Sequence, residues 1–182
     1  MLGWVVWLTG LPGSGKSTIT RFLAKKLRNR NVKVQILSSD MLRRILTPKP
    51  TYTEEERDIV YGTLVLIAKL LSDNGVNVLI DATGNRRKYR NNARRKIKKF
   101  VEVYVKCPLD ICVTREKKRK KTFGAPVGVY AKALSGKSST VPGFGVPYEE
   151  PLHPEVVVET DKLNPKKCAE KIFLFIRKKY GL

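Results

Sequence analysis

The densest chemistry in the chain is Gly10-Leu11-Pro12-Gly13-Ser14-Gly15-Lys16-Ser17, followed by Thr18. Its spacing fits G-x-x-x-x-G-K-[ST], a loop whose backbone N–H groups curl round phosphate oxygens. The glycines keep Cβ atoms out of the way of that approach. Lys16 would reach the β- and γ-phosphates as a point charge, and the Ser17 hydroxyl would ligate Mg²⁺. An apolar run at residues 4–9 reads as a buried strand before the loop. After it, Ile19, Phe22, Leu23 and Leu27 recur at helical spacing, so the loop opens a helix whose N-terminus favours anions. A glycine-rich turn that merely carries a lysine is the bland alternative; the flanking strand and helix favour a nucleotide-phosphate site.

Other polar groups must be brought to that loop by the elements around it. Residues 32–37 read as a second strand ending at Ser38-Ser39-Asp40, with Arg43 and Arg44 one turn on in a short helix. Polar residues just past a parallel strand point into the ligand crevice of an open α/β sheet, which makes Asp40 a candidate. Thr53 followed by Glu56 predicts a capping box and a helix with Val60, Leu64, Ile67 and Leu71 on its stripe, ended by Asn74-Gly75. Residues 76–80 form a third strand running into Asp81-Ala82-Thr83-Gly84, and Arg86, Arg87, Arg90, Arg94 and Arg95 follow. Residues 101–105 are a fourth strand and 155–158 a last one, with Asn164-Pro165 capping a final helix. Between about residues 116 and 150 the pattern dissolves into a basic run, Lys117-Lys118-Arg119-Lys120-Lys121, and then Gly, Pro and Ser. A stretch that long inside a compact domain reads as a lid. Strands alternating with helices predict an α/β fold, a mostly parallel sheet flanked by helices in three layers.

A length of 182 residues suits one domain, 1–182, with the lid within it. No apolar run approaches the ~18 residues of a membrane span, and no membrane partner is expected. The start leads straight into the first strand, leaving no room for a targeting peptide. Cys107, Cys112 and Cys168 lack zinc-like spacing and read as reduced thiols, so a cytoplasmic setting is expected. The 37 Lys+Arg against 16 Asp+Glu, a net charge of +21, favour anionic partners: a charged nucleotide or nucleic acid. Surface composition of the kind heat-adapted proteins carry explains the same balance.

The chain resembles the adenylylsulfate kinases, P-loop enzymes that phosphorylate adenosine 5′-phosphosulfate. The resemblance rests on Trp7 to Thr18, on Val103-Tyr104-Val105-Lys106-Cys107-Pro108-Leu109, and on Tyr130-Ala131-Lys132-Ala133. Pro147-Tyr148-Glu149-Glu150-Pro151 and Pro154-Glu155-Val156-Val157-Val158-Glu159-Thr160 extend it through the lid to the closing strand. It implies ATP and Mg²⁺ as cofactors, with Gly10 to Thr18 holding the nucleotide and Ser17 and Asp40 the metal. It implies that Asp40 orients the attacking 3′-hydroxyl, that Arg43, Arg57 and Arg87 hold the anionic acceptor, and that Tyr52 stacks on its adenine. Lys132 and the Pro147-Tyr148-Glu149 segment would close the lid. The small-molecule acceptor is the expected partner; nucleic acid is less favoured and a homodimer is left open.

Three positions and one insertion depart from the family pattern: Gly84 stands for a serine, Val60 for an asparagine, Val141 for a lid phenylalanine, and roughly nine extra residues lie between Glu116 and Gly128. Without that serine no phosphoenzyme is expected. The stretch from Asp81 to Arg90 instead resembles P-loop kinases of RNA ends and aminoacyl-tRNA, where the Asp joins the Mg²⁺ shell, so Asp81 is a second catalytic candidate. Its alternative role is to cap the next helix.

Overall fold

The computed structural model describes residues 1–119 and 122–182, so Lys120 and Lys121 of the basic run lie outside the described residues. Its centre is strand β1, Val5–Thr9, buried along its whole length. β2 (Val34–Ser38), β3 (Asn77–Asp81), β4 (Phe100–Lys106) and β5 (Val156–Glu159) join it in the order β2-β3-β1-β4-β5, every pairing parallel. Helices α1 (Lys16–Arg28) and α7 (Pro165–Tyr180) cover one face; α3 (Glu54–Asp73) and α4 (Arg87–Lys96) cover the other.

The two faces follow from the period of two in β1. Val6 and Leu8 point to Ile19, Leu23 and Leu27 of α1 and to Ile172, Phe173 and Ile176 of α7. Val5 and Trp7 point to Leu64, Val65 and Ala68 of α3 and to Tyr89 and Ala93 of α4. Each of the Val, Leu, Ile and Phe side chains contributes about 1.5–3 kcal/mol on burial. Trp7 also has a polar edge, and its Nε1–H donates to the Ala82 carbonyl at 2.9 Å, tying β1 to the chain just past β3. Cys107, Cys112 and Cys168 are buried free thiols.

The helix ends agree with the sequence in two cases and differ instructively in a third. Asn164 Oδ1 accepts from the Lys167 N–H at 2.9 Å, with Pro165 in the first turn of α7. Gly75 leaves α3 at φ 82°, a conformation in which a Cβ is costly. At the other end of α3, Thr53 Oγ1 accepts from the Glu56 N–H at 3.3 Å, as predicted. The Glu56 carboxylate does not close back on the Thr53 N–H. It takes the N–H groups of Thr51 at 2.6 Å and Tyr52 at 3.0 Å, because Arg43 holds it on that side.

Three short helices stand at the carboxyl end of the sheet: α2 (Ser39–Leu46), α5 (Leu109–Lys118) and α6 (Val129–Leu134). The stretch expected to be irregular from 116 is therefore helical to Lys118 and again in α6. A small cluster of Cys107, Cys112, Tyr130, Ala133 and Val141 seats the lid on the sheet, and the Tyr130 hydroxyl donates to the Pro12 carbonyl at 2.9 Å.

Candidate active site

Register alone assembles half of the site. Asp81 pairs with Leu8 on one side and Ser38 on the other, so the last residue of β3 stands between the start of the glycine loop and the start of α2. The loop between β1 and α1 turns through Gly13 (φ 81°) and Gly15 (φ 97°). At Gly13 a Cβ would come within 2.4 Å of the Cys112 carbonyl oxygen, so the loop is pressed against α5 as well as bent. Residues 12–18 line a cleft of about 980 Å³ that also takes in Asp40, Arg43, Tyr52, Arg57, Asp81 and Lys132. Gly10 and Leu11 form the base of the loop.

Lys16 is buried, and its Nζ donates to the carbonyls of Gly10 and Leu11 at 2.9 Å each. These bonds hold the ammonium at the mouth of the loop, from which it can swing onto phosphate oxygens. Burial pushes its pKa down, with Asp81 acting against that as the strongest opposing charge. Burial likewise raises the Asp81 carboxyl, which Lys16 and the neighbouring Ser17 hydroxyl pull back. Asp40, in the first turn of α2, is raised by burial and lowered chiefly by Lys16 and Arg43. Asp81 does not cap α4: the helix begins at Arg87, with Arg86 at its N-cap position and no side-chain cap bond. Extra residues after β3 carry the chain past that point, leaving the carboxylate facing Lys16.

Ser17, Asp40 and Asp81 together offer the hard oxygen donors that Mg²⁺ takes. Among the described residues no group of three His, Cys, Asp or Glu side chains forms a self-sufficient metal cage. That suits Mg²⁺, which keeps one or two protein carboxylates and completes its shell with phosphate and water.

Also lining the cleft, Arg43 lies over the Tyr52 ring at 4.6 Å and ion-pairs with the buried Glu56. Tyr52 is held at φ 58°, uncommon for a bulky residue, by the three contacts that Glu56 makes to Thr51 and Tyr52. Arg57 is buried and spends three donors on protein: Nε to the Tyr52 carbonyl at 3.0 Å, Nη1 to Asn85 Oδ1 at 3.0 Å and Nη2 to the Thr140 carbonyl at 2.6 Å. Burial lowers its pKa. Lys132 is exposed on α6 and borders the cleft.

Arg87 is the exception. It does not line the cleft; its N–H donates to Glu149 at 2.7 Å and its Nε to the Glu150 carbonyl at 2.8 Å. Two other arginines of this helix are similarly engaged. Arg90 is fully buried against Glu102 at 2.6 Å, and Arg94 pairs with Glu102 and Glu155. Charge density after β3 is thus largely internal, fastening the returning lid to the sheet.

Several residues at the site carried no local signal. Arg115 of α5 donates to Thr160 Oγ1 at 3.0 Å and to the Thr160 carbonyl at 2.7 Å, and Thr160 Oγ1 donates to the Ser14 carbonyl at 2.9 Å. This chain braces the glycine loop from residues that meet only because β5 lies beside β4. Glu56 and Asn85 are also long-range partners, hidden in the sequence among other polar residues.

Comparison with known proteins agrees with this geometry. A family model for adenylylsulphate kinase matches residues 2–159. A probable adenylyl-sulfate kinase of Pyrococcus abyssi is 38% identical over 178 residues, 98% of this chain and 95% of its own. One from Archaeoglobus fulgidus is 40% identical over 161 residues, 88% of this chain and 98% of its own. The structure of the Mycobacterium tuberculosis APS kinase CysC in complex with AMPPNP and APS superposes with a TM-score of 0.85 at 29% identity, covering 97% of this chain and 98% of that one. These matches favour the sulfate-nucleotide reading over a kinase of RNA ends. With the family model covering most of its length and these relatives at 38% and 40% identity, the chain belongs to the adenylylsulphate kinase family.

Proposed function

We propose that the chain transfers the γ-phosphoryl group of ATP to the 3′-hydroxyl of adenosine 5′-phosphosulfate, giving 3′-phosphoadenylyl sulfate and ADP. The supporting observation is that Lys16, Ser17, Asp40, Asp81, Arg43, Tyr52 and Arg57 all line one cleft. The β1–α1 loop would bind the triphosphate through its backbone N–H groups, with Lys16 exchanging the Gly10 and Leu11 carbonyls for β- and γ-phosphate oxygens. Mg²⁺, held by Ser17 with Asp40 or Asp81 close by, would neutralise charge on the bridging phosphates.

Asp40 and Asp81 divide the carboxylate work between the acceptor hydroxyl and that metal shell. The 3′-oxygen attacks phosphorus in line, the bond to the β,γ-bridging oxygen breaks, and the hydroxyl proton passes to the nearby carboxylate. The acceptor's adenine would stack on Tyr52, and its sulfate and phosphate would lie toward Arg43, whose guanidinium is already fixed by Glu56. Such catalysis is mainly positioning and charge stabilisation. The lid would shut out water, the competing acceptor.

Steady-state assays with ATP and Mg²⁺ test the reading. Adenylyl sulfate should be phosphorylated, at the 3′ position, and RNA 5′-ends should not. A protein that phosphorylates RNA ends and leaves adenylyl sulfate untouched refutes it.

A further inference from the structure

We propose that Arg119, the residue that follows α5, is a further catalytic residue: a lid cation that contacts the phosphates of the bound nucleoside triphosphate. The inference rests on the kinase reading above and concerns the segment of extra residues after Glu116, whose basic character that reading leaves unused.

The segment is folded back on a single carboxylate. Glu116 is buried; it accepts the Gly128 N–H at 2.8 Å and pairs with Arg119 Nη2 at 3.4 Å. Arg119 Nη2 also donates to the Pro126 carbonyl. One carboxylate thus pins both ends of the turn and fixes one nitrogen of the guanidinium. Arg119 Nε is buried and has no hydrogen-bond partner among the described residues. A buried donor left without an acceptor is costly and calls for an explanation, which an anionic ligand drawn against this guanidinium would give.

The cleft supplies the ligand's identity. Arg119 lines it together with residues 12–18, Asp40 and Asp81. Its positive charge is among those that act on Lys16 and on Asp40. An arginine facing a glycine loop, a lysine and a hydroxyl donor meets the triphosphate, whose oxygens match its planar fork.

The rest of the segment reaches across the mouth. The Phe123 ring lies under the Arg21 guanidinium of α1 at 3.9 Å, and Gly124 packs against Arg44 of α2. Phe123 is held at φ 51°, a strained conformation of the kind that clusters at ligand clamps. Phe123 and Gly124 thus meet α1 and α2, while Arg119, Thr122 and Phe123 line the cleft with the glycine loop. Lys117 and Lys118 are exposed and contribute to the general field alone.

The test compares Arg119→Ala, Arg119→Lys and Arg119→Gln with a Lys117→Gln/Lys118→Gln control, using ATP, Mg²⁺ and adenylyl sulfate. Loss of a preorganised cation should lower kcat about 10²-fold in Arg119→Ala. The affinity for a non-hydrolysable ATP analogue should weaken, and the melting temperature should stay near that of the parent. Arg119→Gln keeps a neutral donor for Pro126 and should be as slow as the alanine variant; Arg119→Lys should recover part of the rate. The loss should persist at high salt, where steering by the control lysines is screened. An active parent whose Arg119→Ala and Arg119→Gln variants keep kcat and analogue affinity within about twofold overturns the proposal. A rate loss that tracks a fall in melting temperature, equal in Glu116→Gln, also overturns it, assigning Arg119 a structural role. A parent with no activity on adenylyl sulfate would instead sink the acceptor assignment, while analogue affinity still reports on Arg119.

Discussion

Arg57 donates from Nη1 to Asn85 Oδ1 at 3.0 Å, and through this bond the acceptor wall, the loop after β3 and the lid become one unit. The same guanidinium holds the Thr140 carbonyl at 2.6 Å. Asn85 in turn donates from Nδ2 to the Pro147 carbonyl at 3.3 Å, and its own carbonyl accepts the Glu149 N–H at 2.8 Å. Both ends of the lid's returning segment are thereby fastened within a few residues of Asp81.

Removing that fastening should uncouple the lid from the sheet. Asn85→Ala leaves Arg57 short of an acceptor in a buried setting, at a cost of about 1–3 kcal/mol. The expected outcome is a severalfold higher KM for the acceptor and a higher rate of ADP release from ATP in its absence, because water gains entry. Unchanged KM together with unchanged acceptor-free hydrolysis would show that the lid closes without Asn85.

Lys16→Ala should lower kcat by about 10²–10³-fold, the effect of removing a group that stabilises transition-state charge. The melting temperature of the ligand-free protein should change little. The two carbonyl bonds of Lys16 offset the desolvation of a buried ammonium, so their joint removal is close to neutral. A folded Lys16→Ala protein with near-parental kcat would remove the β1–α1 loop from the phosphate site.

Asp40→Ala and Asp81→Asn should each lower kcat, by about 10²–10⁴-fold where the carboxylate takes the acceptor proton. The two variants separate by pH. Burial raises the Asp81 carboxyl above its ordinary 3.8, so the folded state binds its proton more tightly than the unfolded chain does. This group therefore stabilises the fold fully below 3.8, and that contribution is lost as pH rises through the raised folded value. The melting temperature of Asp81→Asn relative to the parent should climb across that window and stay level above it. A difference that falls with rising pH would mean that Lys16 and Ser17 outweigh burial. On the kinetic side, parental kcat/KM should fall with acidification at a pH above 3.8, since both aspartates are raised.

Gly84 should transfer nothing covalently. With γ-labelled ATP, no acceptor-chasable label should appear on the protein after denaturing electrophoresis. Restoring a serine should not create one either. Gly84 sits at φ 51°, and a Cβ would fall 2.8 Å from the Trp7 ring, itself fully buried. Gly84→Ser is expected to lower stability by about 1–3 kcal/mol, as overpacking does, read as a lower denaturant midpoint. A labelled, stable Gly84→Ser protein would contradict this.

The sequence by itself determined the parts whose signals are local. Gly10 to Thr18 spell the phosphate loop because glycine placement and the lysine are set by chain geometry within these nine residues. The five strands, the helix stop at Gly75, the helix start at Asn164, and the position of Asp40 just past β2 follow from periodicity and capping, which also act over a few residues. What the tertiary structure decided is which charges face the cleft. Arg57, Arg87, Arg90, Arg94 and Arg119 look alike in the sequence. Strand order puts Glu102 and Glu155 beneath Arg90 and Arg94, the returning lid gives Glu149 and Glu150 to Arg87, and Asn85 and Thr140 take up Arg57. Arg119, folded back by Glu116, lines the cleft. A guanidinium goes where buried carboxylates and carbonyls satisfy it, and those partners lie three to eighty-three positions away along the chain.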